Sequence, residues 1–346
     1  MSVLRRDPAT GGWVIVAPER SRRPRETHES TSSRHSPCPF CISDHASPTS
    51  ELLQVASSDD AAWVVRVLPN KFPALVPDAH EQETFDGRLF RELAGVGHHE
   101  VIVEGPSHDL RMSNMSAAEI AAVLEAYHAR CRALRDDPRV AYIIIFKNDG
   151  ARAGASLVHP HSQLVAIPMA PLALQQRYAR AREHYDATGR CLYCDVVKAE
   201  RQAHVRVVFE TESLVVYCPF ASAVPYETWI APLRHQPSFV ATSRKDRQEL
   251  ASVLRRTLAI LHHALGGPDF NFVLHTAPVA DEHQPYYLWH VQILPRIAQF
   301  AGFELGSGMP INATSPEDAA QQLRRSDSGF GPHSAARGDD DHECRS

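Results

Sequence analysis

The stretch Phe146-Lys147-Asn148-Asp149-Gly150-Ala151-Arg152-Ala153-Gly154-Ala155-Ser156-Leu157-Val158-His159-Pro160-His161-Ser162-Gln163-Leu164-Val165-Ala166-Ile167-Pro168 decides how the rest of the chain is read. Pro160 fixes its own φ and pushes His159 towards extended geometry. The apolar run Leu164 to Ile167 continues that extended segment, so the reading is a strand. Side chains on a strand alternate faces, which puts His159, His161 and Gln163 in a row on one side. The Gly- and Ala-rich loop before them lets backbone N–H groups approach an anion closely. The plainer alternative is a surface strand carrying two histidines by chance, in a chain with 20 His.

Working outward, 346 residues are enough for two domains or one large double domain. A formal charge of −5 gives no reason to expect nucleic acid or an anionic membrane as partner. No apolar run approaches the ~20 residues of a membrane-spanning helix, and the first residues lack a signal-peptide core, so the cytoplasm is the expected compartment. Of the seven cysteines, four form two C-x-x-C pairs, Cys38/Cys41 and Cys191/Cys194. In a reducing compartment such pairs read as metal ligands or a redox site before disulfides. Cys131 and Cys218 lie in apolar surroundings and read as core, and Cys344 falls in the tail.

The flanking elements are legible from pattern. Asp7-Pro8-Ala9-Thr10-Gly11-Gly12 is a turn before the short strand Trp13 to Val16. Arg20, Arg22, Arg23 and Arg25 form either a solvated face or a phosphate clamp. Strands are expected over Trp63 to Leu68 and His99 to Glu104, with 78–98 a polar surface excursion between them. Ser116-Ala117-Ala118-Glu119 is a capping box, and Ile120, Val123, Leu124, Tyr127, Cys131 and Leu134 give the following helix its apolar face. After a polar helix at 172–186 the order repeats: Cys191/Cys194, strands at 205–210, 214–218 and 225–232, a helix over 244–265, and strands at 270–275 and 288–295. His108 precedes His161 by 53 residues and His235 precedes His290 by 55, each interval holding one helix and one apolar strand. Both end on His-x-Gln, a short apolar run and a proline, which points to an internal repeat. From Ser326 the Gly/Ser/Asp/His-rich tail has no periodic apolar pattern and reads as disordered.

These pieces, taken in order, carry a family resemblance: Pro18-Glu19-Arg20-Ser21-Arg22-Arg23-Pro24, the Cys38/Cys41 pair, Pro69-Asn70-Lys71-Phe72, His108, Asn148 to Gln163, and Ala301-Gly302-Phe303-Glu304. From about Arg5 to Arg324 the chain resembles the galactose-1-phosphate uridylyltransferases of the histidine triad superfamily. The resemblance implies an α+β fold of two tandem histidine-triad-like repeats, each an antiparallel sheet with packed helices. They divide as residues 1–170, with a zinc site and the nucleophile, and 171–325, followed by the tail 326–346.

The implied activity is a cytoplasmic nucleotidyl transfer of galactose metabolism by double displacement. His161 attacks the α-phosphorus of a nucleotide sugar, expected as UDP-glucose, and a hexose 1-phosphate, expected as galactose 1-phosphate, later takes the nucleotide. Neutral imidazole is nucleophilic near pH 7, and its phosphoryl adduct is reactive enough to pass the group on. Gln163 is placed to donate to a non-bridging phosphate oxygen, while Arg20, Arg23 and Ser156 meet the phosphates. By the family's pattern Asn70 and Asn148 lie near the nucleotide, and Phe303 and Glu304 meet the hexose. Cys38, Cys41, His108 and His159 match the family's structural zinc site, and a homodimer is implied. Three departures stand out: Ser162 where the best-known members have glycine, Gln299 where the hexose loop often has lysine, and Gln292 where some members have a metal-binding histidine. The rivals are a relative that uses ADP-glucose or a dinucleoside polyphosphate with phosphate as acceptor, and a zinc-stabilised nucleotide-binding protein without catalysis.

In the second repeat Cys191, Cys194 and His235 stand at matching places. Aligning His290-Val291-Gln292 on His161-Ser162-Gln163 sets Leu288 opposite His159. Leucine cannot ligate, so one tightly held zinc per chain is expected, with the second site weak at most.

Overall fold

The structure is a computed structural model that describes residues 3–8, 10–16, 38–41, 51–56, 63–78, 83–86 and 90–327. The chain opens with the antiparallel pair β1 (Val3–Arg6) and β2 (Trp13–Val16), then β3 (Leu53–Ala56) and β4 (Trp63–Pro69). A further pair, β5 (Glu83–Asp86) and β6 (Phe90–Leu93), falls where the sequence reads as a plain excursion. Polar residues gave no alternating signal there, yet the backbone closes its own ladder. β7 (His98–Val103), helix α1 (Ala117–Leu134), β8 (Tyr142–Asp149) and β9 (His161–Ile167) complete the first half.

Helices α2 (Leu172–Thr188) and α3 (Leu192–Ala203) lead to β10 (Val207–Glu210), β11 (Leu214–Tyr217), β12 (Thr228–Pro232), α4 (Arg244–Leu265), β13 (Phe270–His275) and β14 (His290–Pro295). Short α5 (Gly302–Ser307), β15 (Ile311–Asn312) and α6 (Pro316–Asp327) finish the described chain. α3 and α6 were not foreseen. Cys191 is the residue before α3, so the second cysteine pair starts a helix, and α6 takes in the first two residues assigned to the tail. The remainder of that tail lies outside the described residues.

Both long helices start where the sequence says. The Ser116 hydroxyl accepts the Glu119 N–H and the Glu119 carboxylate accepts the Ser116 N–H, at 3.2 and 2.7 Å. Ser243 and Asp246 repeat that reciprocal cap on α4, which stops at Gly266 in the left-handed region.

Ten strands form one antiparallel sheet in the order β10-β11-β12-β14-β13-β8-β9-β7-β4-β3. Read outward from the central pair, the order is β8-β9-β7-β4-β3 on one side and β13-β14-β12-β11-β10 on the other. Each half therefore runs strand, strand, strand, helix, strand, strand. α1 and α4 lie side by side on one face, tied by Arg247, whose guanidinium donates twice to the Glu125 carboxylate at 2.9 Å. One continuous apolar core lies beneath them and includes Tyr127, Ile145, Leu164, Phe272 and Val291. A second core, with Ala181 of α2 and Tyr193 and Val197 of α3, packs on the opposite face, mainly over the second half. Among the described residues no helix is long and apolar enough to cross a membrane.

The Phe272 ring of β13 stacks on Tyr127 of α1 at 6.2 Å between centroids, joining the halves through the core. Phe272→Ala should cost about 3–5 kcal/mol and Phe272→Leu far less. The check is the denaturant midpoint followed by circular dichroism and by tryptophan fluorescence. The two probes should shift together, because the core is shared.

Candidate active site and metal centre

β9 starts at His161, and from there the pleat sorts its side chains. Ser162, Leu164 and Ala166 turn to the helix-covered face, where the Tyr127 hydroxyl donates to Ser162 Oγ at 2.7 Å. His161 and Gln163 take the other face. His159 is not on the strand as expected but on the bend before it, fully buried.

From that bend the His159 carbonyl accepts the Nδ1–H of His161 at 2.8 Å. A carbonyl only accepts, so this bond assigns the tautomer and leaves the lone pair on His161 Nε2. Burial pulls the His161 pKa below its ordinary value, which keeps the ring neutral and nucleophilic at neutral pH. The Phe40 ring lies 5.6 Å from the rings of both His159 and His161.

Gln163 is oriented by a residue the sequence reading did not single out. The Ala74 N–H donates to His99 Nδ1 at 3.0 Å, so the ring proton sits on Nε2 and is donated to Gln163 Oε1 at 2.8 Å. With its carbonyl occupied, Gln163 presents its NH2 as a donor. The β7 register, with Val101 opposite Gln163 and His99 opposite Val165, was the available signal: it sets His99 on the Gln163 face. Asn70 stands beside this group, its Oδ1 accepting the Phe72 N–H at 2.9 Å.

Asn148, at the end of β8, is fixed from the second half. Its Oδ1 accepts from Asn271 Nδ2 at 2.8 Å, and the same amide group donates to the Ala153 carbonyl at 2.8 Å. That bond leaves the Asn148 NH2 as a donor. Asp269, also from the second half, accepts the Arg152 N–H at 2.8 Å. Together Asp269 and Asn271 brace the loop that carries exposed Ser156. Arg20 and Arg23 lie outside the described residues. Phe303 and Glu304 begin α5, where the Glu304 carboxylate accepts the Ala301 N–H at 3.1 Å. No described hydrogen bond or ring contact joins either to His161.

Cys38, Cys41, His108 and His159 bring one ligand atom each within 4.8 Å of one another. The Cys41 Sγ is 3.3 Å from the Nδ1 of both histidines. Tetrahedral zinc, with bonds of roughly 2.3 Å to sulfur and 2.0 Å to nitrogen, needs ligand separations of about 3.5 Å. His159 Nε2 donates to the Gly105 carbonyl at 2.8 Å, which leaves its Nδ1 lone pair for the cluster. The donor set and the tautomer both fit the implied metal.

The second half repeats the device and then closes it. His290 Nδ1 donates to the Leu288 carbonyl at 3.1 Å, as His161 does to His159. Gln292 Oε1 accepts from His275 Nε2 at 2.9 Å, but here the amide NH2 is taken by the Glu227 carboxylate at 2.7 Å. By register Glu227 stands where His99 stands in the first half. His290 is packed against Trp229, His275 and Tyr193 at 4.3, 4.7 and 5.3 Å, and burial pushes its pKa down to about 3. Cys191, Cys194 and His235 form a three-group cluster, with Cys194 Sγ 3.3 Å from His235 Nδ1. Leu288 is buried, and among the described residues no fourth group joins the cluster.

Gly150 has φ +88°, and a Cβ there would sit 2.0 Å from Asp269 Oδ1. Gly150→Ala should therefore dislodge the loop and lower turnover by one to two orders of magnitude, roughly the scale for misplacing groups by an ångström. Steady-state kinetics with a check of metal content measures it. Unchanged turnover would mean the loop does not serve the site.

Comparison with known proteins agrees with this geometry. Residues 1–171 match the family described as galactose-1-phosphate uridyl transferase, N-terminal domain, and residues 105–326 match a domain of unknown function, DUF4921. The chain is 34% identical over 328 residues to an ADP-glucose phosphorylase of Arabidopsis thaliana, covering 93% of this chain and 92% of the relative. It is 29% identical over 336 residues to a galactose-1-phosphate uridylyltransferase of Thermotoga maritima, covering 94% and 99%. The crystal structure of an ADP-glucose phosphorylase from Arabidopsis thaliana with bound ADP-glucose superposes with a TM-score of 0.81 at 32% identity, over 94% of this chain and 99% of that one. The chain belongs to the galactose-1-phosphate uridylyltransferase family of nucleotidyltransferases.

Proposed function

We propose that this protein transfers a nucleoside monophosphate from a nucleotide sugar to His161 and from there to a phosphate-bearing acceptor. The observation that carries the reading is the pair of locked side chains: His161 with its Nε2 lone pair freed by the His159 carbonyl, and Gln163 with its NH2 freed by His99. In the first step the Nε2 lone pair forms a bond to the α-phosphorus and the bond to the leaving sugar 1-phosphate breaks. In the second, an acceptor phosphate oxygen displaces Nε2. The Gln163 and Asn148 amides and the braced loop with Ser156 meet the charge on the phosphates, joined by Arg20 and Arg23. Asn70 lies against the nucleotide, and Phe303 and Glu304 meet the sugar. Zinc held by Cys38, Cys41, His108 and His159 is structural in this reading: it keeps His159, and so the His161 tautomer, in place.

ADP-glucose as donor and inorganic phosphate as acceptor is the reading favoured by similarity. Identity is 34% to an ADP-glucose phosphorylase against 29% to a uridylyltransferase. Ser162, where the best-known uridylyltransferases have glycine, suggests a different branch, and Gln299, where their hexose loop often has lysine, weakens the case for galactose. UDP-glucose with galactose 1-phosphate is the second reading, supported by the family match over residues 1–171. The shared strand order of the two halves supports an origin by duplication, and a homodimer belongs to the same proposal.

Enzyme mixed with ADP-glucose alone should gain the mass of one AMP, and with UDP-glucose the mass of one UMP if the second reading holds. The adduct should be acid-labile and alkali-stable, and absent from His161→Ala. An adduct on that variant would remove His161 from its role. Adding phosphate, or galactose 1-phosphate, then identifies the acceptor by the product released. Gln163→Ala should slow transfer by roughly 10²–10³-fold, the scale for losing one oxyanion-type donor.

Elemental analysis after mild chelation should find one zinc per chain. Cys38→Ser should release it and lower stability, since a structural metal contributes its binding energy to folding. Cys191→Ser should leave the tight-metal count unchanged. Two retained ions per chain would mean that the second cluster is complete despite Leu288.

A further inference from the structure

Beneath the strand that carries His161, on the face packed against α1, two buried charges face each other. Lys147 of β8 and Glu104, just after β7, are 1% and 0% exposed at their side chains, with Nζ 2.7 Å from Glu104 Oε2. Burying a charge pair in a core is seldom a gain in stability over apolar residues of similar size. Its neighbours suggest what else it does. Lys147 Nζ also donates to the backbone carbonyl of His161 at 3.3 Å. The Glu104 N–H donates to the Pro160 carbonyl at 3.0 Å. The Tyr127 hydroxyl, which donates to Ser162 Oγ, lies 3.5 Å from Glu104 Oε1. Three successive residues, Pro160, His161 and Ser162, are thus held from below by one polar group of three side chains, those of Lys147, Glu104 and Tyr127, and one backbone amide, that of Glu104.

The network runs on towards the loop. Asp149 Oδ2 lies 3.7 Å from Lys147 Nζ, Arg111 bridges Asp149 and Asp269 at 3.0 and 3.3 Å, and Asp269 holds the Arg152 N–H. Within this group it is Lys147 that donates to the backbone carbonyl of His161. A side chain's direction on a strand follows the tilt of its own peptide, so a donor on the His161 carbonyl sets the aim of the imidazole on the opposite face.

We propose that Lys147 is a positioning residue for nucleotidyl transfer, holding the His161 carbonyl so that Nε2 meets the α-phosphorus in line. The inference rests on His161 being the nucleophile. Glu104 serves it by keeping the ammonium in place.

The test compares two variants that break the same ion pair. Lys147→Met loses the bond to His161, and Glu104→Gln keeps it. If the pair acts only on stability, the two lose activity equally. If Lys147 aims the nucleophile, Lys147→Met should lower kcat and the rate of adduct formation by about 10²-fold, the scale for a small misplacement of reacting groups, with KM little changed. Glu104→Gln should then lose several-fold at most. The double variant Glu104→Gln/Lys147→Met leaves no buried unpaired charge, and it decides the matter if Lys147→Met does not fold. Folded, with wild-type metal content and wild-type kcat, the double variant would overturn the proposal; folded but slow, it supports it. The wild-type adduct is measured alongside. Its absence would sink the nucleophile assignment, whereas a normal adduct formed at equal rates in wild type and the double variant would sink only the role of Lys147.

Discussion

His159 sits at the point on which the site depends, because each of its polar groups holds something different. Its Nε2–H is fixed on the Gly105 carbonyl, its Nδ1 faces the Cys38/Cys41/His108 cluster, and its carbonyl takes the Nδ1–H of His161. The first bond selects the tautomer that makes the second possible. The third transmits the position of that bend to the tautomer of the next histidine. The Cys/His cluster and the His161 imidazole are therefore coupled through one backbone oxygen, and Pro160 between them limits how far the bend can relax.

The two halves share a strand order and a His-x-Gln at the same place, yet the hydrogen bonds described around them differ. The difference is made by three local facts. His99 donates to the Gln163 carbonyl, whereas Glu227 at the mirrored position accepts from the Gln292 amide and uses up its donor. α3 places Tyr193 against His290, while its counterpart His161 has the Phe40 ring beside it. Leu288 stands where the first half has His159, and a leucine side chain offers the second cluster no donor atom. The second half instead lends Asp269 and Asn271 to brace the anion-facing loop of the first.

Much of this was legible from residue pattern. The capping boxes at Ser116 and Ser243, the apolar spacing of α1 and α4 and the strands 270–275 and 161–167 are local signals, and local chemistry decides them. The two C-x-x-C pairs and the repeated His-x-Gln were visible for the same reason. The β5/β6 pair was not, because its mostly polar sequence leaves no alternating apolar trace, and α3 was missed because its buried face, Leu192, Tyr193 and Val197, starts inside the Cys191/Cys194 pair, which reads first as metal ligands.

By itself the sequence determined which side chains could take part: a histidine locked beside proline, a glutamine two residues on, and a four-group set of sulfur and nitrogen donors. Tertiary structure alone decided which partners settle their protonation and direction. His99, Glu104, Lys147, Asp269 and Asn271 lie 14 to 123 residues from the groups they hold, a range set by the strand pairing. Hydrogen-bond direction depends on what stands across the ladder, and that is fixed only once β7, β8, β9 and β13 are in register. A glutamine amide reads the same in Gln163 and Gln292. Whether its NH2 remains free for a phosphate is a property of the neighbour that the fold delivers.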